Sequence, residues 1–309
     1  MPSAVSRQPS ADFPGKLLMF GEHILLLGAS ALAVPVPAFC GRWAWGEAPA
    51  QRNRLFDFAA SPELESVDQL DCAAFQADLA NGLYFQSNIP SGYGLGSSGA
   101  LCAAVYDRYA GRKAVELDEL KAVFSCMESF FHGNSSGIDP LTSYLAQPVL
   151  VQQKHRVSLV NIPVHPRGPV VFLVDTGLPR QTGPMVQWFL AQNNGEVFNK
   201  YLTRYLLPAH EKMVSGWING DLEAFWPALR TVSEIQFHHF TPMVPDSMRD
   251  LWAAGLDGRD FVLKICGAGG GGYLLGFAAD ADTISRLRKT VDIIMPFQTT
   301  SGSCDTQSS

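Results

Sequence analysis

The densest chemistry in the sequence lies in Pro90-Ser91-Gly92-Tyr93-Gly94-Leu95-Gly96-Ser97-Ser98-Gly99-Ala100. Glycines let backbone N–H groups crowd around an anion, and a helix opening at the end of such a loop aims its positive dipole end at the same point. Ser97 and Ser98 add hydroxyls that can reach a phosphate oxygen or a metal. The chemistry is that of a phosphate cradle, although no Gly-Lys-Ser/Thr occurs and the loop is not a Walker A motif. Gly92, Gly94, Leu95, Gly96, Ser97, Ser98 and Gly99 are the candidate nucleotide-binding residues. Lys16 stands between Gly15 and Leu17-Leu18-Met19-Phe20, a setting that favours a functional lysine over an edge residue that snorkels to water.

Other short patterns point to chemistry their context does not support. Gly133-Asn134-Ser135-Ser136-Gly137 matches the G-x-S-x-G hydrolase elbow, which must follow a strand and open a helix. Here a helical pattern precedes it. Asp175-Thr176-Gly177 has the form of an aspartic protease loop, of which a single-chain enzyme needs two. It reads instead as the end of a buried strand, with Arg180 nearby as a charge for substrate or phosphate. Asn134-Ser135-Ser136 fits a glycosylation acceptor without a secretory context. His238-His239 has no ligand spacing.

The elements that must position these residues mix strands and helices without a regular βαβ alternation. Gly15 to Phe20 and Leu32 to Phe39 read as early strands. Leu83, Phe85, Ser87 and Ile89 alternate through a third and run into the glycine loop. A small-residue helix is expected from about Ala100 to Tyr109, ended by Gly111. Asp118 is the expected N-cap of the next helix, in which Leu120, Phe124, Met127 and Phe131 recur at helical spacing before a break at His132-Gly133. Pro169 to Val174 reads as a buried strand, 184–206 and 219–234 as helical, and 261–265 and 273–277 as strands around a run of four glycines. Val291 to Phe297 closes the pattern. Proline and charge interrupt it near 155–168, where a domain boundary is expected. The fold class is α+β with two domains.

Three segments in order resemble the motifs of the superfamily of galactose, homoserine, mevalonate and phosphomevalonate (GHMP) kinases. They are Pro14-Gly15-Lys16-Leu17-Leu18-Met19-Phe20-Gly21-Glu22-His23, the loop 90–100, and Lys264-Ile265-Cys266-Gly267-Ala268-Gly269-Gly270-Gly271-Gly272. A fourth, Glu128-Ser129-Phe130-Phe131-His132-Gly133-Asn134-Ser135-Ser136-Gly137-Ile138-Asp139, is similar to the stretch in which mevalonate kinases carry their catalytic aspartate.

The resemblance implies roles. Asp139 would be the catalytic carboxylate and Lys16 the lysine paired with it. Glu128, eleven residues earlier, and Ser98 would be Mg²⁺ ligands. Glu22, His23, Gly267, Ala268 and Gly269 would line the acceptor side. It implies ATP as co-substrate and Mg²⁺ as cofactor, with the γ-phosphoryl group passing to the 5-hydroxyl of mevalonate in isoprenoid precursor synthesis. The architecture implied is a ribosomal protein S5 domain 2-like ATP-binding domain over 1–162 and a ferredoxin-like domain over 163–309. Cys266 departs from a frequent threonine, Ser135 from a frequent proline, and Pro140 from the usual asparagine. A sibling kinase acting on phosphomevalonate or a sugar shares three of the four motifs. A non-catalytic ligand sensor on the same fold should have lost Lys16, Glu128 or Asp139, and all three are present.

The physics agrees with these roles. Phosphoryl transfer asks for in-line positioning and charge cancellation rather than covalent help. Mg²⁺ takes hard oxygen ligands and only one or two protein groups beside phosphates. Composition sets the outer bounds. Across 309 residues, 47% are hydrophobic, enough for a real core and too many for a disordered chain. The net charge of -6 argues against a nucleic-acid partner. No apolar stretch is long enough to span a membrane. The six cysteines stand singly with no CxxC, and read as reduced thiols of a cytoplasmic protein. A homodimer stays open.

Overall fold

The computed structural model describes residues 12–46, 52–163, 168–180 and 182–298. Two antiparallel sheets organise the chain. The first has five strands: β1 (Phe13–Phe20), β2 (Ala31–Trp45), β3 (Leu83–Ser87), β4 (Val149–Gln152) and β5 (Arg156–Leu159). Their order is β1-β2-β4-β5, with β3 also paired to β2. The second has four: β6 (Val170–Asp175), β7 (Phe261–Ile265), β8 (Tyr273–Ala278) and β9 (Ile293–Ile294), in the order β7-β8-β6-β9.

Strand β1 is buried on both faces, which is why its sequence reads as a nearly continuous apolar run rather than an alternation. One edge pairs with β2, placing Lys16 opposite Pro35. The backbone N–H of Lys16 donates to the carbonyl of Leu95 at 2.8 Å, so the glycine loop docks directly on the strand that carries the lysine. A side chain at Gly15 would bring a Cβ to 2.8 Å from that same carbonyl. Glycine is what lets loop and strand approach.

The helices Ser97–Tyr109, Leu117–His132 and Ile138–Leu145 pack behind this loop. The first begins at Ser97, three residues before the sequence expectation, so both serines lie in its opening turn. The second is N-capped by Glu116 rather than Asp118, which falls in the first turn and suits the positive dipole end there. It ends where expected, at Gly133 in the left-handed conformation.

Strand β2 outruns the expected Phe39 because its second half pairs with β3, Gly41 with Ser87 through Trp45 with Leu83. That partner lies too far along the sequence for a local pattern to reveal. The helical region 184–206 is interrupted at Asn194-Gly195, giving Thr182–Asn193 and Glu196–Tyr201. A π-helical turn, Leu202–Leu206, then leads into Leu207–Asn219. The helix expected over 219–234 is Leu222–His239, and β9 is all that forms a strand within 291–297.

One hydrophobic cluster runs through both sheets. Phe20, at the end of β1, meets Trp217, Phe225 and Phe277 of the second half with ring centroids 6.1, 6.3 and 6.0 Å apart. One sequence expectation is corrected here. Cys72, Cys102, Cys126 and Cys266 are free thiols, but Cys40 is disulfide-bonded, so the cysteines are not uniformly reduced.

Candidate active site

Lys16 and Asp139 meet in the structure. Lys16 Nζ lies 2.7 Å from Asp139 Oδ1, with the lysine side chain 8% exposed and the aspartate 32%. The strand fixes the lysine, and the opening turn of the Ile138–Leu145 helix fixes the aspartate, which faces the positive end of that helix's dipole. A carboxylate so placed can accept a proton from a hydroxyl brought against it.

Ser98 and Glu128 form a second pair beside the first. Ser98 Oγ donates to Glu128 Oε1 at 3.1 Å and lies 3.0 Å from His132 Nε2. The Glu128 carboxyl is pushed up to about 7, chiefly by burial and next by the negative charge of Asp139, against the pull of Ser135, Lys16 and Ser98. Among the described residues no three His, Cys, Asp or Glu side chains cluster as a metal cage. One buried carboxylate and one hydroxyl are the hard, sparse donor set that Mg²⁺ accepts when phosphate oxygens complete its shell. These two residues fit that ion.

The acceptor-side expectations divide. His23 is buried in a left-handed backbone conformation, φ 61°, rare for a residue with a Cβ. Its Nε2–H donates to the carbonyl of Ala268 at 2.9 Å, and its ring lies 5.1 Å from that of Phe189. Burial lowers its pKa, so the neutral ring presents Nδ1 as an acceptor. Gly267 borders the cleft beside Arg180. Gly269 is turned away against Met243, where a Cβ would come within 2.7 Å of that side chain. It supports the loop from behind.

Glu22 is a correction. Its carboxylate does not line the acceptor side, because Lys264 holds it 2.5 Å away in a pocket where the two side chains are 2% and 1% exposed. Lys264 Nζ also donates to the carbonyls of Met19 and Ile265, at 3.0 and 2.7 Å. Burial pushes the Glu22 carboxyl up while Lys264 pulls it back. The pair bolts β1 to β7 beneath His23.

Arg180, outside the four motifs, enters the site. A Cβ at Gly94 would come within 1.6 Å of Arg180 Nη1, and one at Gly267 within 2.6 Å of Nη2. The guanidinium therefore fills the space between the two glycine loops, and its buried Nε has no hydrogen-bond partner. Tyr93 and Tyr273, with centroids 4.8 Å apart, close the same junction. The sequence signal was slight: one arginine shortly after the buried strand β6.

The chain is similar to known proteins in sequence and fold. Residues 64–147 match the family described as GHMP kinases N terminal domain. That match covers one segment of the chain, whose α+β fold is shared with solved kinases of this kind, and a kinase is the class these similarities support. The chain is similar to the mevalonate kinase of Archaeoglobus fulgidus, at 25% identity over 284 residues that cover 86% of this chain and 91% of that one. The fold is shared with L. major mevalonate kinase, solved in complex with R-mevalonate, at a TM-score of 0.64 and 16% identity over 96% of this chain and 98% of that one. It is shared also with Streptococcus pneumoniae phosphomevalonate kinase, solved with phosphomevalonate and AMPPNP, at 0.62 and 19% over 91% and 95%. Among the described residues no helix is long and apolar enough to cross a membrane.

Proposed function

We propose that the protein transfers the γ-phosphoryl group of ATP to the 5-hydroxyl of mevalonate. The observation that carries the reading is the Lys16–Asp139 ion pair, 2.7 Å long and partly open, set beside Ser98 and the glycine loop. Asp139 accepts the proton of the attacking hydroxyl, and Lys16 offsets negative charge on the oxygen left behind. The loop 92–99 and the N-terminus of the Ser97–Tyr109 helix hold the phosphates. Glu128 and Ser98 would hold Mg²⁺, which when bound would spread the charge of the phosphate oxygens. His23, through Nδ1, orients the acceptor, and Arg180 supplies a further cation between the two loops. The similarity to a mevalonate kinase along 86% of the chain supports the choice of acceptor. With it come isoprenoid precursor synthesis and a cytoplasmic setting. The division at 162/163 belongs to this reading too, supported by the first sheet ending at Leu159 and the second starting at Val170.

A phosphorylated acceptor is the second reading, favoured by one observation. Phosphomevalonate needs cationic groups beyond Lys16, and Arg180 is one. A coupled ADP-release assay across mevalonate, phosphomevalonate, galactose and homoserine decides. Mevalonate is expected to lead by at least about 10² in kcat/KM, because a site shaped for one set of hydroxyls leaves buried polar groups unpaired with the wrong acceptor. Preference for another acceptor overturns the choice of substrate. No ADP release with any of the four removes the whole acceptor class.

A further inference from the structure

The loop joining the Leu117–His132 and Ile138–Leu145 helices carries a hydroxyl whose bonds reach both helices. Ser135 Oγ donates to Glu128 Oε2 at 2.5 Å and accepts from the backbone N–H of Gly137 at 3.0 Å. The Ser135 carbonyl accepts from Ser125 Oγ at 2.5 Å. The residue is thus pinned at three points, and its single hydroxyl proton is committed to Glu128.

The two oxygens of Glu128 are consequently unequal. Oε2 belongs to Ser135, while Oε1 faces Ser98 Oγ. A cation entering between Oε1 and Ser98 Oγ displaces the bond between them. His132 Nε2, 3.0 Å away, would then accept the serine proton in the tautomer whose ring hydrogen sits on Nδ1. Nothing in that exchange disturbs Ser135. The carboxylate stays oriented, offering one oxygen to the ion. Through Gly137 N–H, the same hydroxyl ties Glu128 to the turn that delivers Asp139.

We propose that Ser135 is a positioning residue for the divalent cation, holding Glu128 with Oε1 toward Ser98 and coupling it to the segment that carries Asp139. This rests on the reading of Glu128 and Ser98 as the cation's ligands. Groups that orient a metal-bound carboxylate from outside the ligand shell change metal affinity by about 10- to 100-fold when removed. A proline at this position, frequent in the mevalonate kinases the segment resembles, has no hydroxyl to give. The chain therefore gains by side chain a constraint that a proline supplies by stiffening its backbone.

The test uses the full chain with a non-hydrolysable ATP analogue and Mn²⁺, reading bound Mn²⁺ by electron paramagnetic resonance so that turnover plays no part. Ser135→Val and Ser135→Thr add the same β-branched bulk, but Val removes the hydroxyl and Thr keeps it. Ser135→Val is expected to weaken Mn²⁺ binding about tenfold, with Ser135→Thr within about twofold of the parent. Ser98→Ala and Glu128→Gln run beside them. Parent-like Mn²⁺ binding in Ser135→Val, with binding lost in Ser98→Ala or Glu128→Gln, overturns the proposal and leaves the ligand assignment standing. Equal weakening in Val and Thr also overturns it, since bulk rather than the hydroxyl would be the cause. Parent-like binding in both Ser98→Ala and Glu128→Gln overturns the ligand assignment and the proposal together.

Discussion

Two lysine–carboxylate pairs of almost the same length do different work in this molecule. Lys16 and Asp139 lie 2.7 Å apart with the aspartate 32% exposed; Lys264 and Glu22 lie 2.5 Å apart with neither side chain above 2%. Both lysines sit in strands, within the first and the third of the segments that resemble GHMP kinase motifs, and the sequence marks Lys16 for function while giving Lys264 no role. Their surroundings explain the difference. All three donors of the Lys264 ammonium are taken, by Glu22, the Met19 carbonyl and the Ile265 carbonyl. No substrate can reach that pair. Asp139 keeps 32% of its side chain exposed, beside Gly96 of the glycine loop. A charge pair becomes chemical equipment when one member stays open to a ligand, and a fastener when both are sealed.

The largest expected effect breaks the open pair. Asp139→Asn should lower kcat by about 10²–10⁴, the range for a positioned acid–base group, while the chemical denaturation midpoint changes little. Turnover within threefold of the parent would remove Asp139 from the mechanism. Breaking the sealed pair should reverse the pattern. Lys264→Met leaves the Glu22 carboxylate buried without its cation and should cost about 3–5 kcal/mol of stability, read by urea unfolding. A marginal loss would mean Glu22 is already neutral in the folded state.

The sealed region also excludes protons, which sharpens the contrast. His210 is buried beside Glu211 and Lys264, and its Nε2–H donates to the Ser30 carbonyl at 2.7 Å. Burial chiefly lowers its pKa to about 4. Between that value and the ordinary 6.5, the unfolded chain binds more protons than the folded one. Stability contributed by neutral His210 is therefore present above about pH 6.5 and drains as pH falls toward 4, by on the order of 2 kcal/mol. His210→Gln should flatten that slope in unfolding curves taken from pH 7 to 4; an unchanged slope assigns the proton uptake elsewhere. The smallest effect belongs to Ser98→Ala, which removes one hard ligand and should raise the Mg²⁺ concentration for half-maximal rate about tenfold. An unmoved midpoint would place the ion away from the Ser98–Glu128 pair.

The parts of the site legible in sequence are those built from short, contiguous runs. The glycine loop and Lys16 stand out by residue type, and Glu128 and Asp139 by a twelve-residue segment that resembles one in mevalonate kinases; the structure brings them together. What stayed hidden depends on partners far along the chain. Glu22 looked like a cleft residue because its neighbour His23 is one, and only Lys264, 242 positions later, shows that its carboxylate is spent. Arg180 was legible only as a charge near the end of β6; its place between Gly94 and Gly267 exists only after both sheets have formed. The far half of β2 was missed for the same reason, its β3 partner lying about forty residues on. The cap at Asp118 was a local misreading: Glu116 and Asp118 are both acidic, and the dipole welcomes either within the first turn.

 Lys16 offers its backbone N–H to Leu95 and its ammonium to Asp139, so one residue of β1 anchors both the loop and the catalytic carboxylate. The register with β2 is already irregular on either side of it, between Pro14 and Gly15 and between Leu18 and Phe20, and the stretch between has no slack left to absorb a change in length. Side chains in a strand alternate faces, so deleting one residue here would turn Lys16 to the opposite side of the sheet and strip both anchors at once. The hairpin at Gln153-Lys154, where β4 turns into β5, carries no such load, and a residue gained or lost there would be taken up by the turn. Over evolutionary time the first strand can change its letters but not its count, whereas that turn is free to change both.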